Sequence, residues 1–306
     1  MDTLFIPLAL LAGAGLAVQA GANTQLSQHT GSPFAATTLQ LLVGAAVLLA
    51  LASGTGTIAA IARISDAPWW QSIGGLASAF YVVSVILLFP RLGAVVSVGL
   101  LIAGQIFASL ALDVLGWLGV PAKPLDAPTV LGALTVLGGA VAIVRGQGGG
   151  AASVRGHAPW VALALAAGAV LPVQGAVNSL LRAALGAPFA VAAISFVVAT
   201  LGMAAVLLFA IAALRAPRPH FGKLGHMPCW GWLGGIAGAA YVTTVFMAIP
   251  AVGAAATVGL TVAGQQVASV FVDRYGLMRL PRRPVSGLRL AGVAALLAGV
   301  ALIQAF

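Results

Sequence analysis

The sequence predicts an all-α polytopic membrane protein with ten transmembrane helices, arranged as two inverted five-helix repeats. Three observations lead there: the near absence of charge, the length of the uncharged stretches, and the repetition of one half of the chain in the other. Of 306 residues, 61% are hydrophobic and only 6% are charged, whereas a soluble domain carries roughly 25% charged residues. A soluble surface cannot be built from that supply. Stretch after stretch runs for about 18 residues or more without Asp, Glu, Lys or Arg, enough at about 1.5 Å per residue to cross a hydrocarbon core about 30 Å thick.

The apolar stretches place spans at 4–22, 34–52, 70–89, 93–113 and 127–144, then at 160–181, 188–212, 230–249, 252–272 and 286–305. Small and turn residues punctuate them. "TGSPF" follows the first span, "FPRLG" joins the third to the fourth, and "RGQGGGAAS" lies between the fifth and sixth. The glycine stretch at 146–150 is the natural seam, which divides the chain into a first repeat over 1–146, a linker over 147–159 and a second repeat over 160–306. The opening segment mimics a signal peptide, but Asp2 stands where a basic region should be and a related segment recurs mid-chain, so it reads as a retained helix.

Residues 70–116 align with 230–276 at an offset of 160, with 21 identities in 47 positions. Biased composition does not explain pairing Trp70 with Trp230, Tyr81 with Tyr241, Pro90 with Pro250, Gln105 with Gln265 and Asp113 with Asp273. The first two helices of each half align at an offset of 155, which pairs Gln19 with Gln174 and Asn23 with Asn178. A five-helix unit fused head to tail must begin its second copy on the opposite side of the membrane, so the halves are expected to be inverted. Such repeats recur in secondary transporters, which open them to alternate sides. Three Lys or Arg fall on the side of the N-terminus (Arg63, Lys123, Arg182) and eleven on the other, which places both termini outside by the positive-inside rule.

The recurring carboxamides are the chemical signal. Gln19 and Asn23 lie four residues apart in "VQAGANTQ", as do Gln174 and Asn178 in "VQGAVNSL", so each pair shares one helix face. An amide facing lipid is costly, and these faces should turn inward. Two readings follow: interhelical bonds worth about 0.6 kcal/mol each, or the hydrogen-bonding lining of a central cavity. Gln105 and Gln265 fall near the midplane and, with Tyr81 and Tyr241, would complete a polar, uncharged site for a neutral or zwitterionic solute. Asp113 and Asp273 are the repeated carboxylates near the membrane. They read either as interfacial anchors or as carriers of ion coupling. Gly74, Gly75, Ser78 and Ala79, matched by Gly234, Gly235, Gly238 and Ala239, are rows of small residues for close packing. Pro172 should kink the sixth helix, whereas Ala17 stands at the matching place in the first.

No nucleophile elbow, P-loop, HExxH or paired acidic motif is present, so no enzyme, no cofactor and no metal are predicted. His220, His226 and Cys229 match no zinc spacing. The net charge of +9 belongs to the gaps between apolar stretches, where membrane orientation accounts for it without nucleic acid. The expected partners are a small-molecule substrate and the lipid bilayer, with a homodimer left open.

"VQAGANTQL" with "VQGAVNSLL", "PWW...GG" with "PCWGWLGG", and "AGQIFASLALDVLG" with "AGQQVASVFVDRYG" resemble the bacterial YdcZ-like inner-membrane exporters of the drug/metabolite transporter superfamily. The resemblance covers both halves. It implies a multi-pass protein of the bacterial inner membrane, a secondary-type exporter of a small metabolite or drug-like compound working by alternating access. It implies as motif positions Gln19, Asn23, Gln174 and Asn178, then Gln105 and Gln265, then Asp113 and Asp273. Small multidrug exporters of the same superfamily rely on a membrane-embedded Glu, and this chain contains no Glu, so their proton-for-cation exchange does not carry across. The competing class is a non-transporting scaffold or accessory subunit in which the amides only hold helices together.

Overall fold

In the computed structural model, which describes residues 4–146, 158–280, 282 and 285–305, every helix or strand assigned is helical. The predicted seam and linker lie almost wholly outside the described residues. Helix α1 spans Phe5–Thr30 and α2 spans Pro33–Gly54. Gly31 ends α1 in the left-handed conformation, φ 68°, its N–H donating to the Ser27 carbonyl. The Ser32 hydroxyl then accepts from the Ala35 N–H, and Pro33 opens α2 where no N–H is needed. A 3-10 helix, Ile58–Asp66, and the short α3, Trp69–Ser72, lead into α4, Leu76–Leu115, and α5, Ala127–Gly146. The second half holds α6 (Ala158–Leu185), α7 (Pro188–Ala212), α8 (Leu233–Val252), α9 (Ala254–Tyr275) and α10 (Gly287–Ala305). Among the described residues, seven helical segments are long and apolar enough to cross a membrane, and three shorter apolar ones accompany them: Leu76–Leu92, Ala127–Ile143 and Gly287–Ile303.

Two boundaries differ from expectation. α1 continues past residue 22 to Thr30 because Gln25, Leu26 and Thr30 on its polar tail are buried, Leu26 beside Ala36 and Met227. The expected third and fourth spans, 70–89 and 93–113, run together as α4, whereas the matching α8 and α9 part at Gly253, whose φ of 94° and ψ of 160° suit glycine alone. α4 is not straight, however. A straight helix would hold Ser78 and Leu101 about 35 Å apart. Yet Ser78 bonds Gln174 while the Leu101 carbonyl abuts Gly168, and those two residues are about 9 Å apart along α6. The helix must therefore fold back between its two contacts. Pro90 lies in that stretch, where it removes an N–H and crowds the preceding turn. The arms so formed, Leu76–Leu92 and Val96–Leu115, correspond to the two expected spans.

The largest packing contacts join one half to the other. α1 lies along α8 and α9, α6 lies along both arms of α4, α2 packs on α7, and α5 packs on α10. Glycines let the backbones meet. A Cβ on Gly13 would collide with the Thr261 carbonyl and one on Gly264 with that of Leu10; Gly168 against Leu101 and Gly104 against Leu165 repeat the crossing. Gly132 meets the Gly299 carbonyl and Gly139 that of Gly292, so α5 and α10 run antiparallel. Outside this packing, Leu11, Leu42, Leu134, Leu201, Leu208 and Phe209 are exposed, a surface far more apolar than water tolerates.

Candidate solute-recognition site

The face that carries Gln19 and Asn23 turns toward α2 and α8. Gln19 donates through Nε2 to the Gln40 Oε1 at 3.4 Å, and Gln40 returns its own Nε2 to the Gln19 carbonyl at 3.2 Å. Gly238 of α8 lies against the Gln19 amide and Gly234 against that of Gln40. Any side chain at either glycine would enter the space of an amide. Asn23 Oδ1 is buried without a hydrogen-bond partner.

The second half builds a related group from different residues. Gln174, 4% exposed, accepts at Oε1 from the Ser78 hydroxyl at 2.9 Å and directs Nε2 to Ser195 Oγ at 3.4 Å. Asn178, 1% exposed, donates through Nδ2 to the same Ser195 oxygen at 3.1 Å. Its Oδ1 faces Gly74 and has no partner. Ser195 stands at the repeat position of Gln40, and Ser78 at that of Gly238. Each half thus joins its first two helices through a polar pair and leaves one asparagine carbonyl unused. Gln40 and Ser195 are participants without a motif in the sequence, and Ser78, expected there only as a small packing residue, donates a hydrogen bond as well.

Gln105 and Gln265 stand apart from these groups. They follow Gly104 and Gly264, the glycines at the Leu165 and Leu10 crossings, each about 14 Å along α6 or α1 from the glutamine of that helix. Gln105 is buried and Gln265 partly so. Tyr241 belongs to an apolar cluster with Ala12, Leu112, Ala176 and Val245. Tyr81 packs against the cluster of Leu88, Leu101 and Ala164.

The two aspartates have different partners. Asp113, 4% exposed, receives the N–H groups of Ala254 and Ala255 at 2.6 and 2.7 Å, closing the first turn of α9. Asp273 pairs with Arg289 at 2.7 Å, and Arg289, 2% exposed, also reaches the Ser269 hydroxyl. A cavity of about 110 Å³ adjoins Asp113, lined also by Lys123, Asp126 and Thr129. Among the described residues no group of three His, Cys, Asp or Glu could hold a metal ion.

Apolar exterior, span-length helices and buried amides between two similar halves define a polytopic membrane protein. The model of the family described as "Putative inner membrane exporter, YdcZ" matches residues 4–142 and again residues 159–302, and the chain belongs to that family. Inner membrane protein YdcZ of Escherichia coli (strain K12) is 28% identical over 145 residues, which are 47% of this chain and 97% of that protein. Among solved structures, a crystal structure of a protein 18% identical in sequence covers 98% of this chain and 95% of its own with a TM-score of 0.68, a likeness of fold. The family and the apolar helices make the chain a multi-pass inner-membrane protein of a transporter family.

Proposed function

We propose that the chain is a secondary carrier in which residues 1–146 and 160–306, joined by 147–159, are inverted repeats of five segments each. They open a shared interior to alternate sides and export a small metabolite or drug-like compound. The antiparallel meeting of the repeat-equivalent α5 and α10 supports the inversion, since equivalent helices that face each other head to tail belong to halves of opposite sense. Ten segments put both termini on one side, and the distribution of Lys and Arg favours the outside. Recognition rests on one observation: the equivalent residues Asn23 and Asn178 each keep a buried carbonyl oxygen without a partner. An unpaired buried acceptor costs about 1–3 kcal/mol, and a solute that donates N–H or O–H removes that cost. The substrate class is therefore an uncharged or zwitterionic molecule with donors to spare. Gln105 and Gln265 lie further along its path.

The bonds that Gln19 and Gln174 already make favour a second role for those two, the joining of helices. Thermal unfolding in detergent against a library of metabolites and toxic compounds separates the roles. A ligand at about 100 times its dissociation constant stabilises by about 2.7 kcal/mol. Asn178→Ala should lose that stabilisation and the flux in proteoliposomes at a cost in folding of no more than the bond to Ser195, about 1 kcal/mol; Gln174→Ala should mainly lose stability. Equal losses of folding and flux in both variants would leave the amides as helix joints and favour the scaffold.

A further inference from the structure

The break between α8 and α9 is held from outside its own half. Asp113 takes the first two N–H groups of α9, and Lys123 Nζ donates to the Val252 carbonyl at 3.0 Å, the last residue of α8. The Lys123 backbone N–H donates to the Asp113 carbonyl at 2.8 Å, so acid and base are tied together. Gly253 sits between the two helix ends, close to both side chains. A carboxylate on a helix N-terminus and an ammonium on a C-terminal carbonyl each match the sign of the helix dipole. The first half thus grips both free ends of a broken helix in the second. At the repeat position of Asp113, Asp273 is engaged with Arg289 on α10, and Arg289 replaces the Thr129 of the first half.

We infer that Asp113 with Lys123 is the latch of one gate, and that Asp273 forms the mirrored latch on the backbone after Gly93 when the halves exchange conformations. The inference rests on the two-state carrier reading. In the present conformation the first latch is shut and Arg289 holds the second acid in reserve. Rupture of the Asp113 contact opens that end of the molecule; transfer of Asp273 from Arg289 to α4 closes the other.

The test needs no substrate, so its outcome is independent of the recognition reading. In a Cys229→Ser background, reporters Val114→Cys, beside Asp113, and Arg274→Cys, its repeat equivalent, are labelled in liposomes with a maleimide that does not cross the membrane. Asp113→Ala should raise the labelling rate at position 114 several-fold and lower it at 274. Asp273→Ala should do the reverse. Asp113→Asn, which keeps an acceptor, should fall between wild type and Asp113→Ala, and Lys123→Met should follow the Asp113 variants even if Asp113→Ala does not fold. Rates that stay at wild-type values, or rise together at both sites as in general loosening, would overturn the latch. Reciprocal labelling without flux through the amide sites would keep the gate and remove the solute site.

Discussion

Ser195→Ala tests the polar joint of the second half with the least disturbance to packing. Its oxygen accepts from Asn178 at 3.1 Å and from Gln174 at 3.4 Å. The first distance is ordinary for N–H···O and the second is long. The substitution removes no carbon, so the transfer term is close to zero and the cost comes from the stranded donors. Hydrogen bonds between membrane helices average about 0.6 kcal/mol and reach about 1.7. One good bond and one weak one therefore put the loss at about 1–2 kcal/mol. The assay is reversible unfolding in bicelles by detergent titration, run on the wild type, Ser195→Ala, Asn178→Ala and the double variant. The cycle should return a coupling of about 1 kcal/mol, as expected for side chains in contact. A loss under about 0.3 kcal/mol with no coupling would falsify the joint, and a loss above about 3 kcal/mol would mean that Ser195 acts through something other than these bonds.

Two further outcomes follow from the geometry. Gly168→Val and Gly13→Val should each prevent the crossing of helices that now meet backbone to backbone; both should lose the folded band on size exclusion, whereas Gly138→Ala, with open space around its Cβ, should elute as wild type. Asp126 lies ahead of α5, and the Thr129 hydroxyl and N–H hold its carboxyl below the usual range. Its folded-state value is depressed, so its contribution to capping α5 is complete above the unfolded value of about 3.9 and is lost as the pH falls through the folded one; the protection of the Thr129 amide relative to its intrinsic exchange rate should fall over that acidic window in the wild type and be insensitive to it in Asp126→Asn.

The membrane character and most span positions were legible because hydropathy is a local property: Pro188–Ala212 appears in the structure where the charge-free stretch places it. The reversal of α4 was legible through Pro90 and the turn signal around it, although the helical run conceals it. The 3-10 helix Ile58–Asp66 was not, since a short surface segment has no span-length pattern to betray it. At the amides, the repeat drew attention to residues that are identical in both halves, and so passed over Gln40 with Ser195, which are unlike side chains at one repeat position; Ser78 and Gly238 were legible as small residues, but not the hydrogen bond that Ser78 donates. The grip of Asp113 on α9 joins residues 141 and 142 positions apart, and no spacing rule reaches that far.

The facing of α5 on α10 through Gly132, Gly139, Gly292 and Gly299 also bears on how such a molecule can change over generations. A chain of one half alone would have to cover that face with a second copy of itself, and every substitution would then appear on both sides of the pair. Fusion makes the encounter intramolecular, independent of concentration, and lets a change be written once. Arg289 opposite Thr129, and Gln40 opposite Ser195, are substitutions of that kind: each alters one side of the molecule while its counterpart keeps its own chemistry.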